Sequence, residues 1–193
     1  RRWEPAARDK TLPDGGAFCH TATHMRLPGQ NVTLIGMPGV GKSTVGVLLA
    51  KAAQLGFVDT DLELQARSGR SLQRMIDEDG LDAFLRQEEA CLLELAARDT
   101  VIATGGSAVY STPAMRRLKA GGPVVWLDLP IEDIERRLSN LAVRGVVMPP
   151  GWTLRRLHAQ REPLYRGWAD LVVACGGRTQ DQIVADILAR LCA

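Results

Sequence analysis

The chain has 193 residues, of which 46% are hydrophobic and 24% are charged, which is the composition of a globular domain. The net charge of +2 argues against a strongly basic nucleic-acid-binding module, and no apolar run approaches the length of a membrane span. Four cysteines are scattered without metal-binding spacing, which favours a cytoplasmic location: Cys19, Cys91, Cys175 and Cys192.

Two regions differ in pattern. Residues 1–30 mix Arg, Pro, Gly and acidic residues without helical or strand periodicity, and we expect a flexible N-terminal tail. From residue 31 onward, short apolar runs alternate with helical patterns. This alternation predicts one α/β domain over residues 31–193, with a parallel sheet covered by helices on both faces.

The predicted elements follow one another along the whole domain. The apolar runs predict strands at Asn31–Ile35, Gly56–Val58, Val101–Thr104, Val124–Leu129 and Leu171–Ala174. The 3.6-residue patterns predict helices at about 43–54, 61–68, 71–79, 81–98, 112–120, 131–141, 153–166 and 179–192.

A glycine-rich turn follows the first predicted strand. The sequence GMPGVGKST matches the phosphate-binding loop G-x-x-x-x-G-K-[ST] and lies between a strand and a helix, as that loop requires. Its backbone N–H groups and the helix N-terminus would bind phosphate, Lys42 would bridge the phosphates, and Ser43 would ligate Mg²⁺. The predicted nucleotide contacts are Gly36, Gly39, Val40, Gly41, Lys42, Ser43 and Thr44.

Two carboxylates follow the second predicted strand. Asp59 and Asp61 lie two residues apart, and on an extended segment their side chains would point the same way, toward the nucleotide. One would serve the magnesium ion and the other an acceptor hydroxyl. A helix N-cap at Asp61 is the structural alternative.

Further motifs follow the phosphate-binding loop along the chain. They are FVDTD at Phe57–Asp61, SGRS, EDG, Phe84, TGG at Thr104–Gly106 and REPLY from Arg161. With the phosphate-binding loop, they make the chain from about Asn31 to Ala193 resemble the shikimate kinases. The resemblance implies a three-layer P-loop fold, with a five-stranded parallel sheet like that of nucleoside monophosphate kinases and a mobile lid, and with ATP and Mg²⁺ as cofactors.

The resemblance also implies individual roles. Asp61 would be the base for the acceptor hydroxyl, and Asp59 would lie in the outer shell of the metal. Gly105 and Gly106 would present N–H groups to the acceptor, and Arg161 would bind its carboxylate. In the predicted lid, Leu141–Trp152, the catalytic arginine would be Arg144. Arg137 would stack on adenine, with a solvated helix face as the alternative.

The departures from the family pattern fall on the acceptor side. Leu85 stands where the family has an arginine for the shikimate carboxylate, and Glu88 lies on the same helix face. Because an unpaired buried carboxylate is costly, a cation would have to meet Glu88, either Arg86 or an ammonium group of the substrate. This reasoning gives homoserine a slight preference as the acceptor, with shikimate as the alternative.

A different class of function also stays open. A nucleotide-dependent switch or binding module could share this fold, although the presence of Asp61, Arg144 and Arg161 argues for an active enzyme. We expect a monomer whose partner is a small hydroxylated metabolite, with no nucleic acid and no membrane involved.

Overall fold

The structure is a computed structural model that describes residues 30–140, 146–149 and 151–192. Apart from Gln30, the predicted tail lies outside these residues, and so do residues 141–145 and 150 of the predicted lid. In the described part of the chain, no helix is long and apolar enough to cross a membrane.

The described residues contain the five strands and eight helices that the sequence predicts. The strands are β1 Val32–Ile35, β2 Gly56–Asp59, β3 Thr100–Ala103, β4 Val124–Asp128 and β5 Leu171–Ala174. The helices are α1 Lys42–Ala53, α2 Thr60–Ser68, α3 Leu72–Asp79, α4 Leu81–Glu94, α5 Thr112–Gly121, α6 Ile131–Asn140, α7 Leu154–Trp168 and α8 Gln180–Leu191.

Two details differ from the sequence prediction. A short 3-10 helix, Ala108–Tyr110, was not predicted. Helix α4 ends at Glu94, whereas the pattern predicts helix to residue 98. Leu95 is already extended, and side chains bind the carbonyl groups of the segment that follows: Arg117 donates to the carbonyl of Leu95, and Asn31 donates to that of Ala97.

All paired strands are parallel, in the order β2-β3-β1-β4-β5. All four residues of the central strand β1 are buried, as expected for a strand covered on both faces. The edge strand β5 instead alternates buried and exposed residues. This order places the carboxyl ends of β2, β3 and β1 side by side, and ligands of open α/β sheets bind at such an edge.

The core consists of two hydrophobic clusters. The larger one surrounds the sheet, and the smaller one joins helices α2, α3 and α4. Val147, which lies within the predicted lid, is buried in the smaller cluster. This part of the predicted lid therefore packs on the helices that carry the predicted acceptor residues.

The capping box at the N-terminus of α8 can be tested by mutation. The Thr179 hydroxyl accepts from the N–H of Gln182, whose side chain in turn accepts from the N–H of Thr179. We expect Thr179→Ala to lower the free energy of unfolding by about 1 kcal/mol, because an N–H group of the first turn loses its acceptor. Urea denaturation measures this change. Thr179→Ser keeps the hydroxyl, and an equal loss in both variants would contradict the capping role.

Candidate active site

The phosphate-binding loop connects β1 to α1 and is held tightly against the sheet. Gly36 has φ of 142°, and a Cβ atom there would lie 2.6 Å from the carbonyl oxygen of Leu127. Only glycine fits this close approach of two backbones. At the other end of the loop, Gly41 caps α1 in the left-handed conformation, so the N-terminus of α1 opens into the loop.

Lys42 supplies the charge of this loop. Its ammonium group donates to the carbonyl oxygens of Gly36 and Met37, at 2.8 and 3.0 Å. Burial lowers the pKa of Lys42 to about 8, and the negative charge of Asp61 acts in the opposite direction. A buried ammonium group so placed can neutralise phosphate oxygens bound by the loop.

Ser43 and Asp59 meet beside the loop. The Ser43 hydroxyl donates to Asp59 Oδ2 at 2.5 Å, while Asp59 Oδ1 accepts from the N–H groups of Asp61 and Leu62. A hydroxyl and a carboxylate in contact fit Mg²⁺, which commonly takes one or two protein oxygens and completes its shell with water and phosphate. No cluster of three or more His, Cys, Asp or Glu side chains that could hold a metal ion occurs in the described part of the chain.

Asp61 does not lie on the extended segment that the sequence analysis assumed, and its role as a base stays a prediction. Asp59, not Asp61, caps helix α2, and Asp61 lies in the first turn of that helix instead of on an extended segment. It still faces the loop, because the charge of Lys42 acts on it. Burial raises the pKa of Asp61, which makes its carboxylate a stronger base for a hydroxyl proton.

The prediction for Gly105 needs correction. Its N–H is not available to the acceptor substrate, because it donates to the buried Thr60 hydroxyl at 3.1 Å. The glycine is needed for a different reason: a Cβ atom at Gly105 would meet the carboxylate oxygens of Glu88 and Asp61. Gly105 thus lets these two acidic side chains converge on the end of β3.

Gly106 lies next to Arg161. A Cβ atom at Gly106 would be 3.0 Å from Arg161 Nη1, and the Gly106 carbonyl accepts from the Tyr165 hydroxyl at 2.7 Å. The turn after β3 therefore runs between the acidic pair and this guanidinium. That arrangement brings Asp61, Glu88 and Arg161 to one site, as the sequence predicts.

Arg161 on α7 is completely buried. Its Nη2 donates to the carbonyl of Val147 at 2.7 Å, and its Nε donates to the Tyr110 hydroxyl at 3.1 Å. Nη1 has no hydrogen-bond partner among the residues that the structure describes. A buried guanidinium nitrogen without an acceptor is costly, so an anionic ligand would stabilise it.

Glu88 on α4 is also buried, and in the described part of the chain its Oε1 has no hydrogen-bond partner. Burial raises the pKa of Glu88 to about 7, and the negative charge of Asp61 adds to this effect. The Ser107 hydroxyl, Arg161 and Lys42 act in the opposite direction. Near neutral pH, this carboxyl is therefore divided between its protonated and its charged form.

An apolar cavity of about 210 Å³ adjoins Arg161. We call it the Leu85 cavity, and its apolar walls are Leu81, Leu85, Val147, Met148 and Pro149. Tyr110, Gln160 and Arg161 complete its lining. Arg86 is exposed and lines a separate cavity of about 180 Å³ with Glu88 and Glu89. Arg86 therefore does not take the place of the missing arginine in the Leu85 cavity.

The remaining predicted residues lie around the nucleotide loop. Arg137 donates to the carbonyls of Gly39 and Val40, which places it on the loop, while its stacking on adenine stays a prediction. Val40 is buried and Thr44 is exposed at the start of α1. Arg144 lies outside the described residues, so its catalytic role also stays a prediction.

Three side chains of the site were not assigned a role from the sequence. Thr60 accepts from Gly105, Tyr110 accepts from Arg161, and Tyr165 donates to Gly106. Each acts on a residue that is distant in sequence, so local spacing carries no signal for it. Of these three residues, Tyr165 could have been found from the sequence, because it lies within the REPLY motif.

The fold and the site together indicate a class of protein. A phosphate-binding loop, a hydroxyl and carboxylate for Mg²⁺ and an adjoining acceptor pocket are the parts of an ATP-dependent small-molecule kinase. The family model described as shikimate kinase matches residues 38–192. The chain therefore belongs to the shikimate kinase family, and the fold, enzyme class and cofactors expected from the sequence are confirmed.

Individual relatives agree with this assignment. A shikimate kinase of Pseudomonas entomophila is 42% identical over 165 residues, which cover 84% of this chain and 96% of the relative. Among solved structures, shikimate kinase from Acinetobacter baumannii in complex with shikimate is 29% identical, with a TM-score of 0.79. The match covers 88% of this chain and 96% of that one. Shikimate kinase from Aquifex aeolicus is 30% identical, with a TM-score of 0.70, over 84% of this chain and 96% of the other.

The packing at Gly105 can be tested by adding one methyl group. We expect Gly105→Ala to lower the free energy of unfolding by about 1–3 kcal/mol, because the new Cβ meets two carboxylates in a packed site. Urea denaturation measures the change. Gly167→Ala on α7 is the control, since a Cβ atom there has open space around it. Equal stability of Gly105→Ala and the parent chain would contradict the packing.

The protonation of Glu88 predicts how stability depends on pH. Its pKa is about 7 in the folded chain against an ordinary value of 4.5, so the folded state binds the extra proton. This contribution is present below pH 4.5 and is lost as the pH rises through 7, a loss of up to about 3 kcal/mol.

Glu88→Gln should remove this pH dependence, which urea denaturation at pH 5 and pH 8 measures. The variant should gain stability relative to the parent chain as the pH rises. Glu89→Gln, one residue along the same helix, should keep the parent profile. The same pH slope in the parent chain and in Glu88→Gln would contradict a buried, protonated Glu88.

Proposed function

We propose that the chain transfers the γ-phosphoryl group of ATP to a hydroxyl group of shikimate. The observation that carries the proposal is the buried Arg161, whose unpartnered Nη1 adjoins the site that holds Lys42, Asp61 and Glu88. A carboxylate on Arg161 would fix the acceptor, and Asp61 would receive the proton of its hydroxyl. The relatives described as shikimate kinases support the same acceptor.

The preference for homoserine is not supported. It depended on a cation that would meet a charged Glu88. Because burial raises the pKa of Glu88 to about 7, this carboxyl can be neutral, and Lys42 and Arg161 already act on its charge. No substrate ammonium group is required, and the relatives point to the alternative acceptor, shikimate.

The protein's part in the reaction is to position groups and to stabilise charge. The acceptor oxygen forms the new bond to the γ-phosphorus as the bond to the leaving ADP breaks, and the hydroxyl proton passes to Asp61. Lys42 would stabilise the phosphate oxygens. Mg²⁺ held at Ser43 and Asp59 would neutralise further charge on these oxygens when bound. Arg144 is proposed to act on the same oxygens from the lid.

The leucine at position 85 should affect how tightly this chain binds shikimate. It replaces a positive charge with an apolar side chain, so the carboxylate has one guanidinium where the family pattern has two. We expect Leu85→Arg to lower KM for shikimate by about tenfold with little change in kcat, because the added ion pair acts on binding. ADP release at varied shikimate concentration measures both constants.

Leu93→Arg is the matched control, because Leu93 lies on the same helix but lines a different cavity. It should leave both constants unchanged. Turnover of homoserine without any turnover of shikimate would contradict the proposed acceptor. An unchanged KM in Leu85→Arg would contradict the position of Leu85 in the acceptor pocket.

A further inference from the structure

An apolar groove lies between the last turns of α4 and α5, and we call it the α4–α5 groove. Its volume is about 580 Å³, and its walls include Leu92, Leu93, Ile102 and Leu118. Asn31, which precedes β1, also lines it, whereas the phosphate-binding loop follows β1. The groove therefore reaches the end of the sheet that lies opposite the nucleotide site.

The groove leaves apolar side chains uncovered. Leu93 is 36% exposed, and it is one of a few large hydrophobic side chains that the described residues leave open to solvent. A cavity of about 150 Å³ holds one benzene ring, so the groove has room for about three apolar side chains of that size. Covering it would remove apolar surface from water.

The chain enters the described structure at the wall of this groove. The N–H of Asn31 donates to the carbonyl of Gly121 at 2.9 Å, and its Nδ2 donates to that of Ala97 at 3.0 Å. Its Oδ1 accepts from the N–H of Thr100 at 3.1 Å. These three bonds fix Asn31, so residues 1–29 connect through the exposed Gln30 to a fixed point beside the groove.

The sequence before this point can return apolar side chains to the groove. Residues 27–30 read LPGQ, with proline and glycine at the two central positions of a type II turn. In such a turn the first and fourth Cα atoms lie within about 7 Å of each other, which would bring Leu27 back beside Gln30. Met25 and Phe18 are further apolar residues of the same segment.

A segment of the same chain also has an advantage over a separate partner. A short covalent connection gives an effective concentration of about a millimolar, without any cost of bringing two molecules together. Because Leu27 is only four residues from Asn31, it is always within reach of the groove.

From this arrangement we infer that residues 18–29 of the same chain cover the α4–α5 groove, with Leu27 between α4 and α5. These residues would then differ from the flexible tail that the sequence predicts for residues 1–30. The family model begins at residue 38, so the contact lies outside the part of the chain that defines the family. Neither the nucleotide nor the acceptor takes part in it.

Photo-cross-linking of the full chain tests this contact. A benzophenone amino acid, p-benzoylphenylalanine, takes the place of Leu93, and mass spectrometry maps the residues to which it couples on irradiation. A mixture of isotope-labelled and unlabelled chains separates coupling within one chain from coupling between two chains. We expect coupling within one chain to residues 18–29.

Leu62 on α2 is the matched control position, because it is also an exposed leucine but does not line the groove. The same probe in place of Leu62 should give little coupling to residues 18–29. Equal coupling from both positions, or none from the probe at position 93, would overturn the inference. Coupling between two chains would instead make the groove a dimer surface and would overturn it as well.

Two variants in the segment locate the contact. Leu27→Asp should lower the coupling from the probe at position 93 by up to about tenfold, because the apolar burial of one leucine is lost. Thr23→Asp adds the same charge at a polar position and should leave the coupling unchanged. Unchanged coupling in Leu27→Asp, or an equal fall in both variants, would overturn the place assigned to Leu27.

Discussion

A guanidinium group can be buried only if most of its N–H groups find acceptors, and the acceptor side of this protein is arranged around that constraint. Arg161 is completely buried, and its partners come from distant parts of the chain: the carbonyl of Val147 and the hydroxyl of Tyr110. Val147 of the predicted lid, the 3-10 helix and α7 are joined at this one side chain. Its remaining nitrogen is left for a ligand.

The two halves of the site depend on different physical effects. On the nucleotide side, the close approach of backbones at Gly36 and the buried ammonium group of Lys42 create a positive, rigid loop for phosphate. On the acceptor side, burial brings Asp61 and Glu88 together over Gly105 and raises the pKa of both carboxyls. We propose that proton transfer belongs to the acceptor side of this cleft and charge stabilisation to the nucleotide side.

The strands and the phosphate-binding loop could be predicted from the sequence, because each depends on residues that are close together in the chain. The phosphate-binding loop requires glycines at fixed positions between a strand and a helix, and the buried strands are continuous apolar runs. The errors arise where distant residues decide the outcome. The N–H of Gly105 is taken by Thr60, and Glu88 is made a weak acid by burial, which no spacing in the sequence reports. The homoserine preference followed from treating Glu88 as a charged group.

We propose that one buried guanidinium, that of Arg161, fixes the carboxylate of the acceptor, with the apolar Leu85 in place of a second cation. A crystal structure of the chain with ADP and shikimate tests it most directly, through the distances from the shikimate carboxylate to Arg161 Nη1 and to the side chain of Leu85. We expect a hydrogen bond from Arg161 Nη1 to the carboxylate and van der Waals contact between the ring and Leu85. A carboxylate bound to Arg86, with Arg161 Nη1 still unpartnered, would contradict it.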